Sequence, residues 1–227
     1  MGLTLLAFVL FGVFFAAVGG LVLWMRLHSR AAELAKAMRA VPRTAVSAVR
    51  AGTMVKLVGR VRLVGEPLAA PLTGQACAYF HVRVERRALG EEDDSFGRPT
   101  LSKSWVPLHD DVERRPFLLE DDTGTALVKL DMPEVLIQRA STNTSGILQP
   151  PPEQLVQYLQ DHGLQEWKAR TLRCEERILA EGDEVAVLGW ATLEATDGAV
   201  GEPVTRVVVS DTPEAAVRVA TTDALGA

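Results

Sequence analysis

The sequence predicts a mainly β protein with one or two helices: a small OB-like β-barrel domain preceded by an N-terminal transmembrane helix. Two observations predict this class. An uncharged apolar segment opens the chain, and from residue 53 onward short runs of β-branched residues alternate with polar ones. Gly59 and Gly189 lie inside two of those runs, which indicates bulges or sharp bends of the kind that close a sheet into a barrel.

Residues 3–25 form the apolar segment, with no charged side chain and a single hydroxyl on Thr4. At about 1.5 Å per residue, a helix of this length spans roughly 34 Å, enough for a hydrocarbon core of about 30 Å. A cleaved signal peptide is the alternative, but that class carries positive charge before a shorter apolar core. Here the first basic residue is Arg26, after the segment. We therefore expect a single-pass anchor over residues 1–26.

The charged side chains are unevenly distributed. Residues 26–50 carry six Lys or Arg and one acid, whereas residues 51–227 carry 18 basic and 28 acidic side chains. The positive-inside rule then places the body in the cytoplasm, at the cell (inner) membrane, with the short N-terminus outside. An acidic body argues against a nucleic-acid partner, because binding phosphates requires a basic face.

Three small residues, Gly12, Ala16 and Gly20, recur at every fourth position of the apolar segment. In a helix this spacing gives a flat stripe that allows a second helix to approach closely. The pattern predicts a packing face for a partner helix or for a homo-oligomer. Small residues are also frequent in membrane helices that do not associate, so the pattern is compatible with a packing face and with ordinary membrane-helix composition.

Residues 27–52 predict a basic juxtamembrane linker that is partly helical. Residues 29–40 have helix-forming composition, with Leu34 and Met38 on a weak apolar face, and Pro42 ends the stretch. We expect this helix either to continue the membrane helix as a stalk or to lie along the lipid headgroups.

The β-rich domain is predicted over residues 53–211, followed by a weakly patterned tail at 212–227. The prolines before Glu153 and the glycine at 163 delimit one helix, and polar residues 90–100 predict a mobile loop. The turn Asp121-Asp122-Thr123-Gly124 predicts a hairpin. The strands are predicted at residues 54–64, 76–87, 105–107, 116–120, 125–130, 171–179, 184–194 and 204–210.

Few residues suggest chemistry. The four histidines are His28, His81, His109 and His162, and none of their spacings is that of a local metal-binding pair. Cys77 and Cys174 lie in strand patterns, which predicts buried and inert thiols, although either could serve a hydrolase together with His81. No hydrolase, zinc-protease or phosphate-loop motif is present. The sequence therefore predicts no catalytic residue, no cofactor and no metal.

Two groups of acidic residues have structural explanations. The carboxylates at 120–122 lack the spacing of a calcium loop and fit a hairpin turn better. Glu175 and Glu176 are adjacent, so in a strand they point to opposite faces and cannot act as a catalytic pair. Glu176 shares a face with apolar residues, which would require a partner such as an arginine.

The order of several short strings resembles the GIDE domain, also called BAM for "beside a membrane", in its prokaryotic type without a RING. The resemblance covers roughly residues 53–195. The most specific strings are PFLLEDDTG at 116–124 and ERIL at 176–179 with its following GD and LG pairs. The others are GRV at 59–61, Pro71-Leu72-Thr73-Gly74, Cys77 and the YF pair at 79–80.

This resemblance implies a membrane-proximal, β-rich protein-interaction module. The ligases of the family end in a zinc-binding RING, which two cysteines cannot build, so we expect no ubiquitin-ligase activity. The expected function is that of a non-catalytic adaptor that contacts the membrane and an unidentified protein. The alternatives are a membrane-associated Cys/His hydrolase and a structural or lipid-sensing envelope protein. The candidate interaction surface is the loop at 90–100 together with Pro71, Leu72, Thr73 and Gly74.

Overall fold

A computed structural model describes residues 30–93, 99–146, 149–165, 171–197 and 203–226. Its helices are α1 (Arg30–Ala40) and α2 (Glu153–Asp161). The strands are β1 (Thr53–Leu63), β2 (Leu68–Ala69), β3 (Ala76–Asp93), β4 (Pro99–Arg114), β5 (Phe117–Asp121), β6 (Gly124–Val128), β7 (Glu134–Leu136), β8 (Ser141–Ser145), β9 (Leu172–Ala180), β10 (Glu184–Asp197), β11 (Pro203–Ser210) and β12 (Arg218–Thr221).

Five strands close into a barrel, which confirms the predicted closed sheet. β1 pairs antiparallel with both β5 and β10, β5 and β6 form a hairpin, β6 runs parallel to β11, and β11 returns antiparallel to β10. β12 pairs with residues 185–188 of β10, which precede the part of β10 that pairs with β11. β7 pairs with β12 and is not part of the ring. Closure leaves these five strands without the open edges that a flat sheet would expose.

Alternating apolar residues fill the barrel. The side chains of Leu57, Val61, Phe117, Leu119 and Val187 are all fully buried in one cluster. Burying a side chain of this size stabilises the folded state by about 1.5–3 kcal/mol relative to leaving it in water. The period-two pattern that predicted the strands thus reflects the inward face of the barrel.

The second sheet consists of β2, β3, β4, β8 and β9, with β3 at its centre between β4 and β9. Two insertions in the barrel build it: residues 64–116 lie between β1 and β5, and residues 129–183 lie between β6 and β10. α2 covers this sheet with Leu155 and Leu159, which are both fully buried. The helix thereby brings its other side chains close to the strands of the sheet.

The helix predicted after the apolar segment is present as α1, but its surroundings differ from the expectation. Leu34 and Met38 pack against Leu188 and Ala220 on the outside of the barrel, and the Lys56 ammonium donates to the Met38 carbonyl at 2.8 Å. The apolar face of α1 is therefore covered by the barrel, so the helix packs on the domain and is not a free stalk.

Residues 212–227 are not the weakly patterned tail that composition suggested. They contribute β12, and Val217, Val219 and Ala220 are fully buried against the barrel. A four-residue strand is too short to show an alternating pattern, which explains why this strand was not predicted.

Most of the described residues in the range 90–100, where a polar loop was expected, belong to strands. β3 extends to Asp93 and β4 begins at Pro99, so only residues 94–98 of that range lie outside the described part of the chain. The strand expected at 105–107 is part of the much longer β4. Backbone pairing between β3 and β4 continues beyond the apolar residues. The polar composition of this two-stranded ribbon therefore led to the wrong prediction of a loop.

Gly59 and Gly189 are sites of close approach and not of bulges. The β1–β10 register runs without a shift through both, whereas the observed register shifts lie in the pairings of β3 with β4 and with β9. A Cβ on Gly59 would lie 2.2 Å from the Glu120 carbonyl oxygen, and a Cβ on Gly189 would lie 2.5 Å from a methyl of Val217. Glycine is needed at these positions because another part of the barrel occupies the space.

The predicted anchor, with Gly12, Ala16 and Gly20, lies outside the described residues. Neither helix within the described ranges is long and apolar enough to cross a bilayer.

Candidate functional site

The most buried charged side chain in the described chain belongs to Glu176 on β9, which is 1% exposed. Its Oε1 accepts a hydrogen bond from the Leu72 amide at 2.6 Å, and its Oε2 accepts one from the Thr73 hydroxyl at 2.7 Å. Gly74 closes this turn in the left-handed region, at φ +68°, and its amide donates to the Ala70 carbonyl. The PLTG string is thus a turn that binds a buried carboxylate.

This arrangement corrects two expectations. Pro71 and Leu72 are buried, so the prediction of an exposed interaction loop is wrong for them, and only Thr73 and Gly74 face solvent. The expected arginine partner of Glu176 is also wrong, because a backbone amide and a hydroxyl satisfy the carboxylate. Charge-assisted hydrogen bonds of this kind are about twice as strong as neutral ones, which explains how a carboxylate remains in the interior.

Glu175, the preceding residue, points away from the interior and forms an ion pair with Arg177. The two adjacent glutamates therefore lie on opposite faces of β9, as the strand pattern predicted.

Both thiols are sealed inside the second sheet. Cys77 is 0% exposed and Cys174 is 1% exposed, and neither forms a disulfide. Burial, followed by the negative charge of Glu176, raises the pKa of each thiol to about 12. The reactive species is the thiolate, so at neutral pH these groups are inert and the Cys/His hydrolase alternative loses its nucleophile.

The thiols should therefore react slowly in the folded protein. At pH 8 we expect Cys77 and Cys174 to be labelled by a disulfide reagent about a thousandfold more slowly in the folded chain than in urea-unfolded chain, since burial and the raised pKa both suppress the thiolate. The measurement is the time course of thiol release by absorbance. Labelling at equal rates in both states would show that at least one thiol is accessible.

The acidic group at 120–122 is a hairpin turn, as predicted. The Asp121 carboxylate accepts hydrogen bonds from the hydroxyl and amide of Thr123 and from the amides of Gly124 and Val46. Partial burial alone would raise the pKa of Asp121, but these hydrogen bonds outweigh it and lower the pKa. The specific PFLLEDDTG string thus ends in a turn that also fixes the segment before β1.

A cleft of about 770 Å³ opens beside the turn between β9 and β10. Its lining includes Asp183 and Glu184, and also Arg139 and Asp223, which form an ion pair at 3.1 Å. Among the described residues that line it there is no cysteine or histidine. Its mixed charge suits polar contacts.

The structure also brings together a group that sequence spacing kept apart. His109 and Asp111 lie two residues apart on β4, so they share one face of the strand. Tyr158 lies on α2, and His162 caps the C-terminal end of that helix four residues later. The Tyr158 hydroxyl donates to Asp111 Oδ2 at 2.7 Å and lies 2.9 Å from His109 Nε2. The rings of His109 and His162 are 5.1 Å apart between centroids.

The sequence contains two separate patterns for this cluster, one on the strand and one on the helix. An H-x-D string on a strand and a Y-x-x-x-H string on a helix each place two polar groups on one face, but neither string shows that the faces meet. The packing of Leu155 and Leu159 on the second sheet brings them together.

The described part of the chain is thus a two-sheet β protein built on a closed barrel, with a buried carboxylate turn and a mixed His/Asp/Tyr cluster. Residues 88–224 match the GIDE family model, whose description is "E3 Ubiquitin ligase". The match covers more than half of the chain, so the protein belongs to the GIDE family. It reaches past β12, further toward the C-terminus than the string resemblance did. No curated protein and no solved structure matches the chain.

Proposed function

We propose that the protein is a single-pass membrane-anchored, non-catalytic adaptor whose β domain is held beside the bilayer to bind a protein partner. The observation that carries this proposal is the short distance along the chain between the apolar segment and the packed domain. The apolar segment ends at residue 25, and α1 begins at Arg30. Residues 26–29 span at most about 14 Å even when fully extended.

The packing of α1 strengthens this argument. Because Leu34 and Met38 are buried on the barrel, the domain does not hang from a long flexible linker. An anchor in the lipid would therefore keep the barrel next to the surface. Tethering raises the effective concentration of a module near membrane partners, so contacts of modest affinity are sufficient.

Two further features support binding over catalysis. The thiols that the hydrolase alternative requires are buried and protonated. On the outer face of the barrel, Met54 and Trp190 lie opposite each other across β1 and β10, and both are more than a third exposed. A large aromatic side chain next to a second apolar one offers an anchor for a protein contact.

The anchor is tested by fractionation of the full chain and of a deletion variant lacking residues 2–26, which leaves α1 intact. We expect the full chain to stay in carbonate-washed membranes and the deletion variant to be soluble with an unchanged circular dichroism spectrum. A mature protein that is cleaved after the apolar segment and found in the soluble fraction would contradict the proposal.

The adaptor role is tested by crosslinking in intact membranes. A photoreactive residue at position 54 should capture a defined protein, and the same residue at the exposed position of Glu66 serves as the control. We expect Trp190→Ala to reduce the capture severalfold and the deletion variant to lose it. Equal capture from positions 54 and 66 would argue against a contact at this face.

A further inference from the structure

We infer that His109, Asp111 and His162 form a binding site for a divalent first-row transition metal, with Zn²⁺ as the ion that fits their donor set. Imidazole nitrogens and a carboxylate oxygen are donors that zinc readily takes, and two histidines with one carboxylate leave a coordination position open. One donor atom from each of these residues lies within 4.8 Å of the others. His109 and Asp111 lie on β4, and His162 is the C-cap residue directly after α2.

The distances require little movement for metal binding. Tetrahedral zinc with bonds of about 2.0–2.1 Å holds its ligand atoms about 3.4 Å apart. His162 Nε2 and Asp111 Oδ2 are already 3.9 Å apart. Small side-chain rotations would therefore bring the donors to coordination distance without a shift of the strand or the helix.

The hydrogen bonds around the cluster orient these donors. His162 Nδ1 donates to the Tyr158 carbonyl at 2.8 Å, because a carbonyl can only accept. This bond places the proton on Nδ1 and leaves the lone pair of the neutral ring on Nε2, the atom that faces Asp111. Metal-binding histidines usually donate their second nitrogen to a carbonyl or carboxylate in this way.

Tyr158 lies among the same donors. Its hydroxyl gives its one proton to Asp111 Oδ2 and therefore accepts a hydrogen bond from His109 Nε2. Metal binding at Nε2 would move that proton to Nδ1 of His109 or to solvent, and would leave the tyrosine oxygen beside the ion. The site would join the end of α2 to β4. In the described chain β4 pairs only with β3, so the metal would attach a helix to an outer strand of the second sheet.

The chain contains its own control. His81 and Asp110 form a contact of 2.7 Å on the same sheet, but no third donor completes a group there among the residues that the structure describes. Among the residues that the structure describes, both His81 and His162 lie beside a carboxylate, and a second histidine is close only to His162.

The test is zinc titration of the full chain in detergent micelles after removal of metal by a chelator. We expect one equivalent of Zn²⁺ to bind in competition with a chromophoric chelator. His109→Ala, Asp111→Asn and His162→Ala should each weaken binding by at least about tenfold, whereas His81→Ala should change it by less than about twofold. Co²⁺ should give visible d–d bands in the wild type and in His81→Ala that are lost in His162→Ala.

The proposal fails if the wild type binds no zinc, or if His109→Ala and His162→Ala bind it as tightly as the wild type. Either result would leave the cluster as a hydrogen-bonded contact between α2 and β4. Because His162 is exposed, its replacement should not unfold the protein, which circular dichroism checks. Zinc should also raise the Tm of the wild type and of His81→Ala but not of His162→Ala.

Discussion

Replacing Glu176 with alanine is expected to lower the free energy of unfolding by about 3 kcal/mol. The substitution leaves the Leu72 amide and the Thr73 hydroxyl without their acceptor. An unsatisfied buried donor costs about 1–3 kcal/mol, and the void left by the side chain adds to this cost. Urea unfolding followed by circular dichroism measures the difference.

The neighbouring residue provides the matched control. Glu175 lies on the opposite face of β9, where its partly exposed side chain pairs with Arg177. Glu175→Ala should therefore change the free energy of unfolding by less than about 1 kcal/mol, as for most surface ion pairs. Glu176→Gln keeps an acceptor for Leu72 and should fall between the two. Equal effects of both alanine substitutions would show that the carboxylate turn does not stabilise the fold.

Replacing Gly59 with alanine is expected to destabilise the barrel by about 3 kcal/mol or to prevent folding. The added Cβ would lie 2.2 Å from the Glu120 carbonyl oxygen and 2.8 Å from a Leu119 methyl. β1 pairs with β5 from Arg60 onward, so the methyl would separate the strands where the ring closes. Overpacking usually costs about 1–3 kcal/mol, and a backbone atom cannot rotate out of the way as a side chain can. Thermal and urea unfolding of the two proteins give the comparison.

Gly146→Ala makes the same chemical change at an uncrowded position. A Cβ there would lie 3.5 Å from the Thr171 hydroxyl oxygen, which is ordinary contact. Gly146 is not in the left-handed region either, so alanine should be tolerated within about 1 kcal/mol. If Gly59→Ala unfolds at the same urea concentration as Gly146→Ala, the close approach of β1 and β5 does not limit the choice of residue.

The strands that the sequence predicted well are those with an inner and an outer face. In β1 and β9 the burial pattern largely follows the alternation of the residues, so local sequence was sufficient. In β10, residues 185–189 are all buried, because α1 covers the outer face of that part of the strand. The turn after Asp121 was predicted for a related reason, because its own side chain satisfies the turn amides. In contrast, β8 (STNTS) has no apolar residue, and its pairing with β9 leaves no mark in its composition.

The candidate sites depend on contacts between distant parts of the chain. Alternation placed Glu176 in the interior, but its partners come from a turn about a hundred residues earlier. The His109 and His162 rings meet because α2 packs on the second sheet, which histidine spacing could not show. Local patterns thus predicted faces, and tertiary packing determined which faces meet.

The order of the strands has a consequence for engineering. Every strand of the second sheet comes from one of two insertions that flank the β5–β6 hairpin, and Tyr79 and Leu179 from that sheet pack in the barrel cluster. Neither the barrel nor the second sheet is therefore formed by one continuous segment of the chain. A transplant of the His/Asp/Tyr cluster into another scaffold would need two points of attachment, and the module must be expressed as a whole.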